Sequence, residues 1–272
     1  MKKLLLSIVV IFMIAGSGIK GDSAEATSAN ESLKKNPTLN KMDVSEFFND
    51  REGTFIFKDI KKEKTYIYNE KLSKVRETPE STFKIANALI GLQVGVVEDE
   101  YDIKRWDGVK REFDSWNQDH TLGSAMRDSA IWYYQEVARD IGSDSMNLWL
   151  DKLSYGNGDS SGGIDQFWLD STLKISPLEQ ANFVERLYKE NLPLDQATMK
   201  TVKRMMIQDE KNTYTLHGKT GTRLSDFGLG WFVGYLETED NSYVFVTQIN
   251  GSGSRAKAIT TDILNKYGFI KE

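Results

Sequence analysis

The chain contains no cysteine and only two histidines among its 272 residues. Without cysteine it can form no disulfide, no thiolate nucleophile and no lipid-modified cysteine anchor. The histidines, His120 and His217, lie far apart and form no H-E-x-x-H pattern, so no metal site is predicted. A Ser-His-Asp triad would need one of them, and we interpret both as surface or strand residues. A serine nucleophile in this chain is therefore expected to be activated without histidine.

The chain also has only a small excess of charge of one sign. The formal net charge is −5 and the lysines are scattered, which predicts neither a nucleic-acid partner nor binding to an anionic membrane surface. No G-x-x-x-x-G-K-[ST] motif occurs, so nucleotide binding has no support. Apolar content of 39% and charged content of 28% are typical of globular proteins. This length allows one large core, or two lobes that share an interface.

The first residues predict export from the cell. Met1, Lys2 and Lys3 form a basic start, residues 4–15 are apolar, and small residues follow at 16–18. The apolar run is shorter than the roughly 20 residues that span a bilayer. We expect a cleaved signal peptide at 1–21, with retention as an anchor as the alternative, and no stable membrane span in the mature chain. The protein would then be secreted, cell-surface or periplasmic.

The rest of the chain divides into a linker, early strands, a helical middle and late strands. Residues 22–41 are rich in Ser, Ala, Asn, Glu and Lys and predict a disordered linker. Alternating or β-rich runs predict strands, and helical apolar spacing predicts helices. The strands are expected at 54–57, 65–68, 213–221, 228–237 and 243–249, and the helices at 81–94, 131–141, 145–153, 177–188, 195–206 and 256–267. We expect one sheet from about 42–80 and 207–272, beside a helical lobe over about 81–206.

The Ser-x-x-Lys pattern places a hydroxyl and an amine one helical turn apart on the same face. It occurs five times, as Ser17/Lys20, Ser32/Lys35, Ser81/Lys84, Ser171/Lys174 and Ser254/Lys257. Only the third pair has a distinctive context. Ser81 follows Pro79-Glu80 at a natural helix start, where free backbone N–H groups can stabilise an oxyanion.

Lys84 lies inside the one predicted helix that is apolar on nearly every side. Such a helix is expected to be buried. A buried lysine is costly unless it has partners or loses its charge. The alternative is a lysine whose stem is buried and whose amine reaches the surface.

Three further short motifs stand in order along the chain. Lys219-Thr220-Gly221 is its one K-T-G sequence, at the end of a predicted strand, where Gly221 lets a substrate approach and the other two side chains can hold a carboxylate. The other two motifs are Ser129-Ala130-Ile131 and Tyr155-Gly156-Asn157. Tyr155-Gly156-Asn157 on its own is typical of a turn.

Together with Ser81-Thr82-Phe83-Lys84, these motifs resemble the class D serine β-lactamases, the oxacillinases, in order and approximate spacing. The similarity extends over about residues 45–270 and includes 162–169, 230–234 and Arg255. It implies a mixed α/β catalytic domain over 42–272 with the fold of serine β-lactamases and penicillin-binding proteins. That fold has an antiparallel sheet flanked by helices, plus an all-helical lobe.

The resemblance implies catalytic roles. Ser81 corresponds to the acylated nucleophile, and the backbone N–H groups of Ser81 and Thr222 to the donors that hold the oxyanion. Ser129 corresponds to the hydroxyl that relays a proton to the lactam nitrogen. Thr220 and Arg255 correspond to the clamp on the substrate carboxylate. The other residues that it places at the substrate are Lys219, which supports the clamp, and Gly221, Ile131, Tyr155 and Asn157.

In that family the counterpart of Lys84 is carbamylated by carbon dioxide, and the counterpart of Trp168 hydrogen-bonds the carbamate. The resemblance thus implies N6-carboxylysine at Lys84 and no other cofactor. Free lysine has a pKa of about 10.4, so at pH 7 only about one amine in 2,500 is neutral and able to react with carbon dioxide. Burial among Phe83, Ile131 and Trp168 would raise that fraction. The carbamate is an anionic base for Ser81 and later for water.

The chain departs from the family pattern at Ile131, where valine is usual, and at Thr222-Arg223-Leu224, which is more polar than usual. We expect hydrolysis of penicillin-type β-lactams and hence antibiotic resistance. Two alternatives remain. A β-lactam sensor acylates without turnover, but is normally joined to a membrane-spanning signalling portion. A cell-wall transpeptidase or carboxypeptidase would share Ser81, Lys84 and Lys219, but gives no reason for the segment around Trp168.

Overall fold

The computed structural model describes residues 39–49 and 51–270. The predicted signal peptide and nearly all of the predicted linker lie outside them. The strands of the described chain are β1 Leu39–Lys41, β2 Gly53–Asp59, β3 Lys64–Tyr68, β4 Ile103–Lys104, β5 His120–Thr121, β6 Ile207–Lys211, β7 Tyr214–Thr222, β8 Gly230–Thr238 and β9 Ser242–Ile249. The α-helices are α1 Glu70–Ser73, α2 Lys84–Val94, α3 Leu122–Arg127, α4 Ile131–Ile141, α5 Ser143–Leu153, α6 Pro177–Tyr188, α7 Gln196–Met205 and α8 Gly253–Lys266.

Seven strands form the main sheet in the order β1-β3-β2-β9-β8-β7-β6. All neighbours in it are antiparallel except β1 and β3. β2 pairs with β9 along its whole length, from Gly53 opposite Ile249 to Asp59 opposite Tyr243. The early and late parts of the chain therefore meet in one sheet, which confirms the predicted fold class.

The strand β1 corrects the predicted end of the linker at residue 41. Leu39–Lys41 runs parallel to β3, with Asn40 opposite Tyr66. The outer edge of β3 would otherwise leave a row of unpaired backbone groups, and β1 pairs with that row. Residues 39–41 thus belong to the folded sheet.

The helical lobe is built around α2. All eight residues from Lys84 to Gly91 are buried, and the helix packs against α3, α4, α5 and α7. A 3-10 helix, Glu80–Phe83, leads directly into it. The helix ends at Gly95, whose left-handed conformation (φ 76°) caps the last turn. The predicted helix at 81–94 is thus a 3-10 turn followed by a buried α-helix.

Alternate residues of the central strands face two separate cores, as the twofold period of a strand requires. Val233 and Val246 face the core shared with α6 and the helical lobe. Phe232 and Phe245 face the core under α8. Helix α6 packs on β2, β8 and β9, so it flanks the sheet, although the sequence prediction placed it in the helical lobe. No described helix is long and apolar enough to cross a membrane.

Candidate active site

Ser81 lies in the 3-10 turn that precedes α2, at the edge of a cleft between the helical lobe and the end of β7. The turn is closed by a hydrogen bond from the Thr82 N–H to the Pro79 carbonyl (3.1 Å). Ser81 is 9% exposed, so its hydroxyl can be reached from the cleft. Its backbone N–H lies in the first turn of a helix, where such groups have no partner within the helix. Both features suit an acylated nucleophile.

Lys84 is fully buried, and its Nζ lies 2.9 Å from the Ser81 Oγ. The amine also lies 5.6 Å from the centre of the Tyr134 ring. Burial lowers the pKa of Lys84 well below the usual value of a lysine, and the nearby charge of Lys219 lowers it further. The alternative of a lysine whose amine reaches the surface is therefore wrong, and burial favours the neutral form of the amine.

Aromatic side chains pack around Phe83, in the turn that carries Ser81. The rings of Phe83 and Trp168 stack with centroids 5.3 Å apart, and the Phe167 ring meets Phe83 edge-on at 5.1 Å. Trp168 is fully buried, yet its indole N–H has no hydrogen-bond partner. A buried donor without an acceptor costs about 1–3 kcal/mol. The structure thus holds an unsatisfied donor on the segment that packs against Phe83.

Lys219 and Ser129 form a second pair of amine and hydroxyl on the opposite side of the cleft. The Lys219 Nζ donates to the Ser129 Oγ (2.5 Å) and to the Thr220 carbonyl (2.8 Å). Burial lowers the pKa of Lys219 to about 7, and the charge of Lys257 adds to the shift. Ser129 adopts a left-handed conformation (φ 58°) between α3 and α4, which is uncommon outside glycine and typical of functional sites.

Gly221 lets β7 lie against the Ser81 turn. A Cβ atom at this position would lie 3.0 Å from the Pro79 carbonyl oxygen and 3.3 Å from the Ser81 nitrogen. Such contacts are tighter than side chains normally make, so a larger residue would push the strand and the turn apart. The sequence predicted that Gly221 lets a substrate approach, and that remains a prediction; what the structure shows is that Gly221 permits the close approach of the nucleophile turn.

The cleft brings together six of the predicted site residues: Ser81, Ser129, Ile131, Thr220, Gly221 and Thr222. Sequence reasoning missed the residues that complete its lining, which are Phe113, Ser115, Trp116, Asp128, Leu224 and Ser254. Apart from Asp128 and Ser254, these lie in loops or short turns whose sequence carries no recognisable periodicity. They include the aromatic residues Phe113 and Trp116 and the apolar Leu224, and such side chains are common in ligand pockets.

Two predicted substrate contacts are corrected. Tyr155 is 1% exposed, and its ring meets Phe83 and Phe183 edge-on, at 5.6 and 4.9 Å. The Asn157 side chain donates to the Thr172 carbonyl (2.9 Å) and accepts from the Lys174 N–H (2.8 Å). Tyr155 therefore packs against Phe83, and Asn157 closes the loop that runs from it to Lys174. Neither residue lines the cleft.

Arg255 is not brought into the cleft lining either. Arg255 lies in the first turn of α8, where its backbone N–H donates to the Ser252 Oγ (3.3 Å). The residue is exposed. Ser254, the residue before it, does line the cleft. The assignment of Arg255 to the carboxylate clamp remains a prediction.

The remaining Ser-x-x-Lys pairs differ from Ser81 and Lys84 in the structure. The Lys257 Nζ donates to Gln208 (2.7 Å), while Ser254 pairs with Ser252 (2.8 Å). Lys174 is exposed. The first two pairs lie outside the described residues. Across residues 39–49 and 51–270, no group of three or more His, Cys, Asp or Glu side chains is placed to hold a metal ion.

The lowered pKa of Lys219 makes stability depend on pH. Between pH 7 and about 10.4 the unfolded chain binds a proton that the folded chain has lost, so the contribution of Lys219 to the free energy of unfolding rises with pH. We expect Lys219→Met to reduce the slope of that free energy against pH by up to about 1.4 kcal/mol per unit in this window. Urea unfolding at several pH values measures the slope, with the exposed Lys110→Met as the control. An unchanged slope in Lys219→Met would contradict the assignment.

Comparisons with known proteins agree with this geometry. Residues 25–267 match the penicillin-binding protein transpeptidase domain family. The chain is 61% identical to the probable β-lactamase YbxI of Bacillus subtilis, over 97% of this chain and 98% of that protein. The solved class D β-lactamase BAT-2 superposes with a TM-score of 0.84 at 67% identity, covering 85% of this chain and 98% of that one.

A receptor domain is also similar. The C-terminal domain of the Bacillus licheniformis BlaR penicillin receptor superposes with a TM-score of 0.83 at 37% identity, covering 88% of this chain and all of that one. Its identity to this chain is lower than that of YbxI or BAT-2. By sequence, fold and the arrangement of Ser81 and Lys84, the chain belongs to the penicillin-binding protein transpeptidase family and, within it, to the class D serine β-lactamases.

Proposed function

We propose that this enzyme hydrolyses the β-lactam amide of penicillin-type antibiotics through an acyl-enzyme at Ser81, with Lys84 as the proton acceptor. β-Lactamase activity follows from the family. The observation that carries the proposed residue roles is the 2.9 Å contact between the fully buried Lys84 amine and the Ser81 hydroxyl. A neutral amine at this distance has a lone pair that can accept the hydroxyl proton as the oxygen attacks.

In the acylation step, the Ser81 Oγ forms a bond to the lactam carbonyl carbon and its proton moves towards Lys84. The charge on the carbonyl oxygen is stabilised by the backbone N–H of Ser81, at the start of its helix, and by that of Thr222. The ring C–N bond then breaks, and the nitrogen takes a proton from the Ser129 hydroxyl. Lys219, 2.5 Å from that hydroxyl, replaces the proton.

Before deacylation, the proton that Lys84 took from Ser81 passes to Lys219, which gave one up through Ser129, so both amines return to their starting states. In the deacylation step, water attacks the carbonyl carbon of the Ser81 ester and its proton passes to the base at Lys84. As the ester C–O bond breaks, Lys84 returns this proton to the Ser81 oxygen, which restores the hydroxyl and releases the ring-opened acid. The same base thus serves both steps. We assign the substrate carboxylate to Thr220 and Arg255, with the positive charge of Lys219 in support.

Lys84 also suits the carbamate that the family resemblance implies. A neutral amine is the form that adds to carbon dioxide, and burial favours this form of Lys84 by lowering its pKa. The indole N–H of Trp168 is a buried donor that lacks an acceptor, and a carbamate oxygen would satisfy it. When present, the carbamate supplies an anionic general base in place of the amine. Ser81 and Trp168 are the residues that would hold it.

We further propose that the enzyme is exported and contributes to resistance. The basic start at Met1, Lys2 and Lys3 and the apolar residues 4–15 support a signal peptide. Penicillins act on the cell wall, so an enzyme that hydrolyses them protects the cell best outside the cytoplasm. The runner-up function is a sensor that remains acylated, which the similarity to the BlaR receptor domain favours.

Turnover distinguishes the enzyme from the sensor. Purified protein with excess penicillin should open many rings per molecule, measured by absorbance, with only a transient adduct by mass spectrometry. Ser81→Ala should abolish both ring opening and the adduct, because no other described Ser-x-x-Lys hydroxyl lies against a buried amine. Ser171→Ala, in another such pair, is the control and should retain wild-type turnover. One lasting adduct per molecule would establish the sensor instead.

The carbamate makes activity depend on carbon dioxide. In degassed buffer we expect turnover to fall at least about tenfold, in line with the contribution of a general base, and added bicarbonate to restore it. Acid conditions should deepen the loss, since protonation of the amine prevents the addition of carbon dioxide. Trp168→Phe removes the unsatisfied donor and should raise the bicarbonate concentration needed for half-maximal turnover. Turnover that is indifferent to bicarbonate in both proteins would leave Lys84 as a simple amine base.

A further inference from the structure

Glu80 is a buried acid beside the nucleophile that the proposed reaction does not use. It is 2% exposed and directly precedes Ser81. Its Oε1 accepts hydrogen bonds from the Thr78 hydroxyl (2.6 Å) and from the Asp170 backbone N–H (3.0 Å). Burying a carboxyl group is costly unless its oxygens are hydrogen-bonded. The hydrogen bonds from these two donors offset part of the cost of burying the Glu80 side chain.

The backbone of Glu80 makes a second link to the same segment. Its N–H donates to the Trp168 carbonyl (3.1 Å). Glu80 therefore holds Trp168 through its main chain and Asp170 through its side chain, which fixes both ends of a three-residue segment. Trp168 in turn stacks on Phe83, which lies between Ser81 and Lys84 in the sequence. The segment that carries the unsatisfied indole N–H is thus tied to the turn that carries the nucleophile.

Both residues of the side-chain contact adopt unusual backbone conformations. Glu80 (φ 52°) and Asp170 (φ 46°) lie in the left-handed region. For residues other than glycine this region costs of order 1 kcal/mol or more and persists only where the surroundings hold it. The Asp170 side chain also accepts from the Ser225 hydroxyl (2.8 Å), in the loop after β7. The Glu80 contact accordingly holds a turn of strained backbone in place.

The charges around Glu80 act in opposite directions. Burial raises the pKa of its carboxyl group, while the hydrogen bonds from Thr78 and Asp170 lower it; the Asp170 carboxylate raises it and Arg223 lowers it. An amide would retain the acceptor oxygen without the charge. A glutamine at this position therefore separates hydrogen bonding from charge.

We propose that Glu80 is a positioning residue: its buried side chain holds the Trp168–Asp170 segment on the Ser81 turn and thereby sets the place of the Trp168 indole beside the base. This inference rests on the proposed function for its main readout. It assigns to Glu80 no contact with substrate and no proton transfer.

Three variants and one control test this role. Glu80→Ala removes the acceptor, Glu80→Gln retains it, and Thr78→Val removes one partner at nearly constant volume. Glu63→Ala is the matched control, because Glu63 is an exposed glutamate with the same φ of 52° in the turn after β2. It therefore reports the cost of replacing glutamate in this backbone conformation away from the site. Each protein is first checked for a cooperative unfolding transition.

The readouts are the bicarbonate concentration for half-maximal penicillin turnover, kcat and KM. Displacing a positioned group by about 1 Å can cost up to about a hundredfold in rate, so we expect Glu80→Ala to need about tenfold more bicarbonate and to lower kcat at nearly constant KM. Glu80→Gln should lie within about threefold of the wild type, and Thr78→Val between the two. Values for Glu80→Ala equal to those of Glu63→Ala would overturn the proposal. If Glu80→Ala does not fold, Thr78→Val decides: an unchanged bicarbonate requirement overturns the proposal.

A second readout keeps the proposal separate from the carbamate and from turnover. The rate of Ser81 acylation by penicillin, followed by adduct mass, needs no turnover. If the wild type shows no bicarbonate requirement, the carbamate fails, and if it shows only a lasting adduct, the proposed hydrolysis fails. In either case this acylation rate decides the role of Glu80. Acylation in Glu80→Ala should then be about tenfold slower than in Glu63→Ala, with rescue by Glu80→Gln. Equal rates, or no rescue by glutamine, would contradict positioning through hydrogen bonds.

Discussion

The burial of the Lys84 amine against the Ser81 hydroxyl is the constraint on which the rest of the site depends. A charged amine cannot be removed from water cheaply, so the folded chain favours its neutral form. The apolar α2 helix supplies that environment because its residues are buried by helices on several sides. The core of the helical lobe therefore both stabilises the fold and lowers the pKa of the base.

The sheet contributes a second buried amine and the geometry that joins the two halves. Lys219 lowers the pKa of Lys84 through its charge, and its own pKa is about 7. Electrostatic repulsion between the two amines thus disfavours the state in which both are protonated. Gly221 allows β7 to approach the Ser81 turn closely enough for both amines to serve one cleft. The fold brings the two together from positions more than a hundred residues apart in sequence.

Long periodic elements and ordered motifs made much of this arrangement predictable. The α2 helix, the β2–β3 hairpin and strands β7 to β9 have clear patterns. The motifs identified Ser81 and Ser129, which line one cleft, and Lys219, which bonds to Ser129. The short elements β1, β6, α1 and α3 have too few residues for a period to be recognised. The Tyr155 and Asn157 assignments were wrong because a motif shows proximity to a site and not which way a side chain faces. Burial of Glu80 and the unsatisfied Trp168 donor depend on contacts distant in sequence, so no local pattern reveals them.

The most direct test of this account is a titration of the Lys84 amine in buffer free of carbon dioxide. Lysine labelled with ¹⁵N, with the signal assigned by its loss in Lys84→Met, reports the protonation of the amine by NMR. The account predicts that the Lys84 signal titrates with a pKa well below the usual value of a lysine. A signal that remains protonated up to about pH 10, as for a lysine in water, would contradict it.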